Sequence, residues 1–189
     1  MNVSIFDMWL AILLAGLFCW IASAIIHMVL KYHNADMNSL PNEDSVSNAL
    51  REGNSSPGLY HMPFCGDMSE MGKPEVQEKF SKGPVAMVTI FPNGLPPMGK
   101  LLTQQFLFFV LVSALLAYVM TMSVSIGADY MSVFRLAFAT AFIAYGMGGL
   151  PFSIWYGHPW SNCLRFLLDA LIYAAVTAGT FAWLWPAAV

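Results

Sequence analysis

Charge is what this sequence has least of. Only 10% of its 189 residues are Asp, Glu, Lys or Arg, where about 25% is usual for a soluble domain. Hydrophobic residues take their place at 58% of the chain, and the mean hydropathy is +0.61. That balance points to lipid as the solvent. The formal net charge is only −3 and the basic residues form no run, which excludes nucleic-acid binding. Cysteine is scarce too. Cys19, Cys65 and Cys163 are far apart and form no C-x-x-C, which excludes a disulfide framework and a structural zinc site of paired cysteines. The sequence contains no G-x-S-x-G, no P-loop and no H-E-x-x-H, so no catalytic chemistry is assigned to it.

What the chain does have is apolar runs of membrane length. A helix needs about 20 mostly apolar residues to cross a hydrocarbon core about 30 Å thick. Residues 8–30, 101–126, 131–150 and 164–185 meet that requirement, the last two despite Arg135, Arg165 and Asp169. The fold predicted is all-α and integral to a membrane, a four-transmembrane-helix bundle forming a single membrane domain over residues 1–189. Gly127-Ala128-Asp129 makes a tight connection between the second and third helices, and Pro151, Gly157-His158-Pro159 and Pro186 punctuate the rest. Trp9, Tyr130, Trp183 and Trp185 are expected in one aromatic belt, and Tyr32, Trp155, Tyr156 and Trp160 in the other. Ala22-Ser23-Ala24 resembles a signal-peptidase site. It lacks a basic segment before it and the apolar run continues to Leu30, so the segment is expected to stay as a membrane helix.

The loop over residues 31–100 reads as a small α+β cap between the first two helices. Asp44 or Ser45 starts a short helix ended by Gly53, and Pro74 opens a second. Residues 85–91 read as a strand, with 58–64 as its partner. The loop also carries six of the eight basic residues. By the positive-inside rule it lies in the cytoplasm and both termini lie outside, in a membrane of the bacterial inner-membrane kind.

Three sets of residues are candidates for function. Cys19, Ser23, His27 and Lys31 recur every four residues along the first helix, while Arg165 and Asp169 are four apart on the last. Ionisable groups within a span are costly and usually face protein or water. His27, Lys31, Arg165 and Asp169 are therefore expected to line a polar cavity, or Arg165 and Asp169 simply to pair with each other. A second set, His61, Cys65 and His158, offers the imidazole and sulfur ligands that suit copper or zinc. The third is the small-residue stripes, Ala137, Ala141 and Gly148 on the third helix and Ala170, Ala174 and Ala178 on the fourth. Such stripes let helices approach closely in lipid. Together these features predict a small polytopic membrane protein, partnered by the lipid bilayer, acting as a homo-oligomer or as a non-catalytic subunit among other membrane subunits. Transport of a small solute or ion through the polar site is the alternative, and membrane metal binding the third reading.

Overall fold

The structure is a computed structural model and describes residues 3–188. The chain divides into two compact units, one of Met1–Asn38 with Pro96–Val189, the other Ser39–Leu95. The first holds four helices long and apolar enough to cross a membrane: Ile5–Leu30, Met98–Ser123, Tyr130–Trp155 and Trp160–Leu184. All four predicted runs are therefore helical, with ends that move by several residues.

The differences have local causes. Ser4 caps the first helix early, accepting from the Phe6 N–H while Asp7 returns a bond to the Ser4 N–H, so helical structure begins before the apolar run does. Pro151, read from sequence as the end of the third helix, instead sits in the first turn of a short segment, Leu150–Trp155, that follows a 3-10 turn at Met147–Gly149. Proline's missing N–H is an orphan there in any case, so the helix re-forms instead of ending. The fourth helix starts at Trp160, directly after Pro159.

The third and fourth helices pack most extensively. Val133, Ala137 and Ala141 of the third and Ala170, Ala174, Ala178 and Phe181 of the fourth are buried. Alanines at this contact let the backbones come close, and Phe134, Phe138 and Phe142 stack in a ladder beside it with centroids 5.9 and 6.4 Å apart. The first and second helices meet at Gly16, where an added Cβ would lie 2.7 Å from Val110 Cγ2. Across the bundle the Cys19 thiol lies 3.2 Å from Thr177 Oγ1, and Tyr145 Oη lies 3.4 Å from the same hydroxyl. At the far end Trp185, placed by sequence in a belt, is buried and its indole N–H donates to the Ser125 carbonyl at 2.9 Å.

The second unit holds helices Glu43–Glu52 and Pro74–Lys82 and two antiparallel strands, β1 (Gly58–Met62) and β2 (Ala86–Ile90). Their register pairs Gly58 with Ile90 and Met62 with Ala86. None of its residues is fully buried, so this α+β unit has little core of its own.

Candidate functional site

The first long helix does not end as an α-helix. After Ala24 it widens into a π-turn over Ile25–Leu30, closed by the Lys31 N–H donating to the Ile26 carbonyl at 3.0 Å. Such turns are rare and concentrate at functional sites. Lys31 then takes the left-handed conformation, φ 53 and ψ 18, at a cost of about 1–2 kcal/mol for a residue with a side chain. The chain folds back in a 3-10 turn, Tyr32–Asp36, which lies against the start of the fourth helix. The reversal brings Tyr32, His33 and Asp36 to Arg165 and Asp169.

Asp169 is the centre of the cluster and is almost wholly buried, at 2% exposure. Its Oδ1 accepts from the Tyr32 hydroxyl, and its Oδ2 lies 2.8 Å from His33 Nε2. The other nitrogen of His33, Nδ1, is 2.5 Å from Asp36 Oδ2. Arg165 donates to the remaining oxygen of Asp36, and the Asn162 amide donates to the Asp36 backbone carbonyl at 3.0 Å, pinning the turn to the helix. His27 lies on the open side. Its ring stacks on His33 with centroids 4.7 Å apart, and its Nδ1 is 3.0 Å from the Ser23 carbonyl.

The electrostatics follow from these bonds. Burial pushes the Tyr32 hydroxyl above its ordinary pKa, and the bond to Asp169 and that carboxylate's charge push it further, so it remains a proton donor. Burial alone would raise the Asp36 carboxyl. The bonds from His33 and Arg165, and their charges, outweigh it and hold the group below the usual carboxylate range. His33 is unusual because both its nitrogens meet carboxylate oxygens. A neutral imidazole has one N–H, so the second N···O gap must hold another proton or a cation. One donor atom from each of His27, His33 and Asp169 lies within 4.8 Å of the other two, the one three-residue group among the described residues spaced to hold a metal ion.

Beside the cluster is a cleft of about 510 Å³. Trp20, Met28, Leu101, Leu102, Phe108 and Phe109 supply much of its apolar wall, while Ser23, His27, Gln105 and Asp169 give it a polar end. Beyond it, the buried Ala141, Ala174, Ala178 and Phe181 fill the bundle.

Of the four residues predicted to line a polar cavity, His27 and Asp169 line this cleft, while Arg165 joins the cluster through Asp36. Lys31 does not contribute its side chain to these bonds. It is exposed, and its backbone makes the reversal. The expected pairing of Arg165 with Asp169 is replaced by Arg165 with Asp36 and Asp169 with His33. Those partners are closer because the chain folds back over this helix end. His61 and Cys65 belong to the second unit, where His61 Nδ1 lies 2.9 Å from the Pro63 carbonyl and the Cys65 thiol donates to the Asp67 carbonyl at 3.1 Å. His158 belongs to the first unit, exposed and tilted against Phe152. Of the small-residue stripes, five alanines are buried inside this chain, whereas nothing lies within 4 Å of the space a Gly148 Cβ would take. Of the cluster's residues, sequence reasoning missed Asp36 and took Tyr32 only as a belt aromatic. The available signal was H-x-x-D directly after an apolar run.

No protein-family model, curated protein or solved structure matches this chain.

Proposed function

We propose that this is a small polytopic membrane protein whose working part is the cleft, and that it binds a membrane-soluble small molecule there. The observation that carries this reading is the cleft's composition. An apolar chamber of about 510 Å³ ends in one buried carboxylate and one imidazole, a size and polarity suited to an amphipathic molecule with a small polar head. The filled core beyond the cleft favours binding over permeation. The basic residues of the loop support an orientation with both termini outside and the second unit in the cytoplasm of a bacterial-type inner membrane.

Native mass spectrometry of the full chain, extracted in mild detergent, tests the reading. The wild type should retain one small molecule per chain, and Leu102→Trp, which fills the chamber, should release it. A wild-type chain that carries nothing, or a variant that keeps the molecule, would sink the proposal.

A second reading, self-association, rests on a different groove. Phe18, Ala22 and Ile25 of the first helix and Ala175, Val176, Gly179 and Trp183 of the fourth line a shallow apolar trough. Its floor contains the small residues Ala22, Ala175 and Gly179, which suits close approach by a helix of a second copy. The same spectra decide it. Dimers in wild type that are lost in Gly179→Leu would support association, and monomers throughout would end it.

A further inference from the structure

We propose that His27, His33 and Asp169 are the protein ligands of a divalent transition-metal ion. The inference shares the polar end of the cleft with the reading above, and rests on that reading only for its placement there. Three donor atoms within 4.8 Å of one another are the starting point. Each potential ligand is also held by an outer partner, as metal-binding side chains usually are. The Ser23 carbonyl can only accept, so His27 carries its proton on Nδ1 and keeps its lone pair on Nε2. Asp36 holds His33 through Nδ1 and is itself held by Arg165, which directs His33 Nε2 towards Asp169. Tyr32 occupies Asp169 Oδ1 and leaves Oδ2 for the ion.

The ion takes the place of the proton between His33 and Asp169. Metal–nitrogen and metal–oxygen bonds of about 2.0–2.2 Å set tetrahedral ligand atoms roughly 3.3 Å apart. The exposed His27 ring must turn out of its parallel stack on His33, since the in-plane lone pairs of parallel rings do not meet at one ion. The present 2.8 Å between His33 Nε2 and Asp169 Oδ2 must also widen by about half an ångström. His33 sits on a short 3-10 turn, not within a long helix, and gives that movement locally. Two imidazoles and one carboxylate, without sulfur, suit zinc, iron(II), cobalt(II) or manganese(II) and not copper(I). His27 and Asp169 also line the cleft, so a fourth ligand reaches the ion from there. Two charges on the ion and one on Arg165, against the carboxylates of Asp36 and Asp169, leave the site net positive. The fourth ligand is therefore water, hydroxide or an anionic head group.

The test uses the full chain in detergent, free of any histidine tag, stripped with chelator and titrated with Co²⁺ while the visible d–d bands are followed. One ion per chain is expected. Losing a ligand, in His27→Ala, His33→Ala or Asp169→Asn, should weaken binding by at least about 100-fold, and Tyr32→Phe or Asp36→Asn by about 10–100-fold. His61→Ala, Cys65→Ser and His158→Ala should bind as the wild type does. Buried Asp169 carries a folding risk. His27 is exposed, and its replacement leaves the buried bonds intact, so His27→Ala decides if the others fail to fold. A wild-type chain without Co²⁺ bands, or bands that survive His27→Ala, would overturn the proposal, as would loss on His61→Ala or Cys65→Ser. A chain that binds Co²⁺ but retains no small molecule would sink the cleft reading alone.

Discussion

His27 and His33 stack with their ring planes 1° from parallel, although His27 lies inside a π-turn and the left-handed Lys31 stands between them along the chain. The stack depends on the reversal at Lys31, since continuing the helix would carry His33 away from Asp169. Position 31 tests this. Glycine enters the left-handed region freely, whereas a β-branched side chain there is strongly disfavoured. Lys31→Val should lower thermal stability relative to Lys31→Gly, by about 1–2 kcal/mol. Thermal unfolding of both variants in detergent measures the order, and equal midpoints would mean that the reversal is not under strain.

The bond between Arg165 and Asp36 fastens the folded-back turn to the fourth helix. Arg165 keeps 29% side-chain exposure, so solvent screens part of the interaction. A double-mutant cycle with Arg165→Met and Asp36→Asn should give a coupling of about 1 kcal/mol, below the roughly 1.5–3 kcal/mol of an unscreened hydrogen bond to a charged group. Stability changes that add to within about 0.3 kcal/mol would show that the two side chains do not support one another.

The parts of this molecule that sequence made legible are those governed by length and period. Four apolar runs near twenty residues can only be satisfied as helices when lipid is the solvent, and the structure has four such helices. In the loop, β2 was legible from its β-branched residues and the turn residues after it, and β1 lies within the stretch read as its partner. Helix ends were less legible, because Pro151 reads equally as a stop or as a first-turn residue until Gly148 and Gly149 are seen to form a 3-10 turn. The site was half legible. Asp169 and Arg165 stand out as charges in an apolar helix. His33 and Asp36 lie past a helix end with no periodicity to assign their facing, and only the π-turn and the φ of Lys31 bring them back.

Packing at Gly16 gives a sharp contrast. A methyl group there would approach Val110 Cγ2 at 2.7 Å and Val110 backbone atoms at 3.2 Å, so the first and second helices would have to separate. Gly16→Ala should destabilise the bundle by about 1–3 kcal/mol through overpacking. Gly148→Ala meets nothing within 4 Å and should leave the thermal midpoint within error of wild type. Similar losses at both positions would contradict the close contact at Gly16.

Asp129 caps the third helix, accepting from the Ser132 hydroxyl at 2.6 Å and the Ser132 N–H at 3.1 Å. The Ser132 bonds, the side-chain one first, hold its carboxyl below the usual range. A carboxyl depressed in the folded state contributes fully above its unfolded pKa of about 3.9, and the contribution is lost as pH falls through the folded value. Asp129→Asn keeps a capping oxygen without titrating. The stability gap between wild type and Asp129→Asn should therefore be constant near neutrality and shrink below about pH 4. A gap that widens on acidification would reverse the sign and remove Asp129 as a charged cap.

The three cysteines report on burial and orientation in one experiment. Cys19 and Cys163 are buried, and Cys65 is partly exposed in the second unit. Thiol reaction requires both access and the thiolate, so a membrane-impermeant maleimide should label Cys65 alone in the folded protein, and Cys65→Ser should abolish the signal. Cys19 and Cys163 should react only after denaturation. In intact bacterial cells expressing the full chain, a cytoplasmic loop predicts no labelling until the membrane is permeabilised. Labelling of Cys65 in unbroken cells would place the second unit outside and invert the orientation proposed from the basic residues. Rapid labelling of Cys163 would instead show that the start of the fourth helix, on which Arg165 and Asn162 hold the turn, opens in solution.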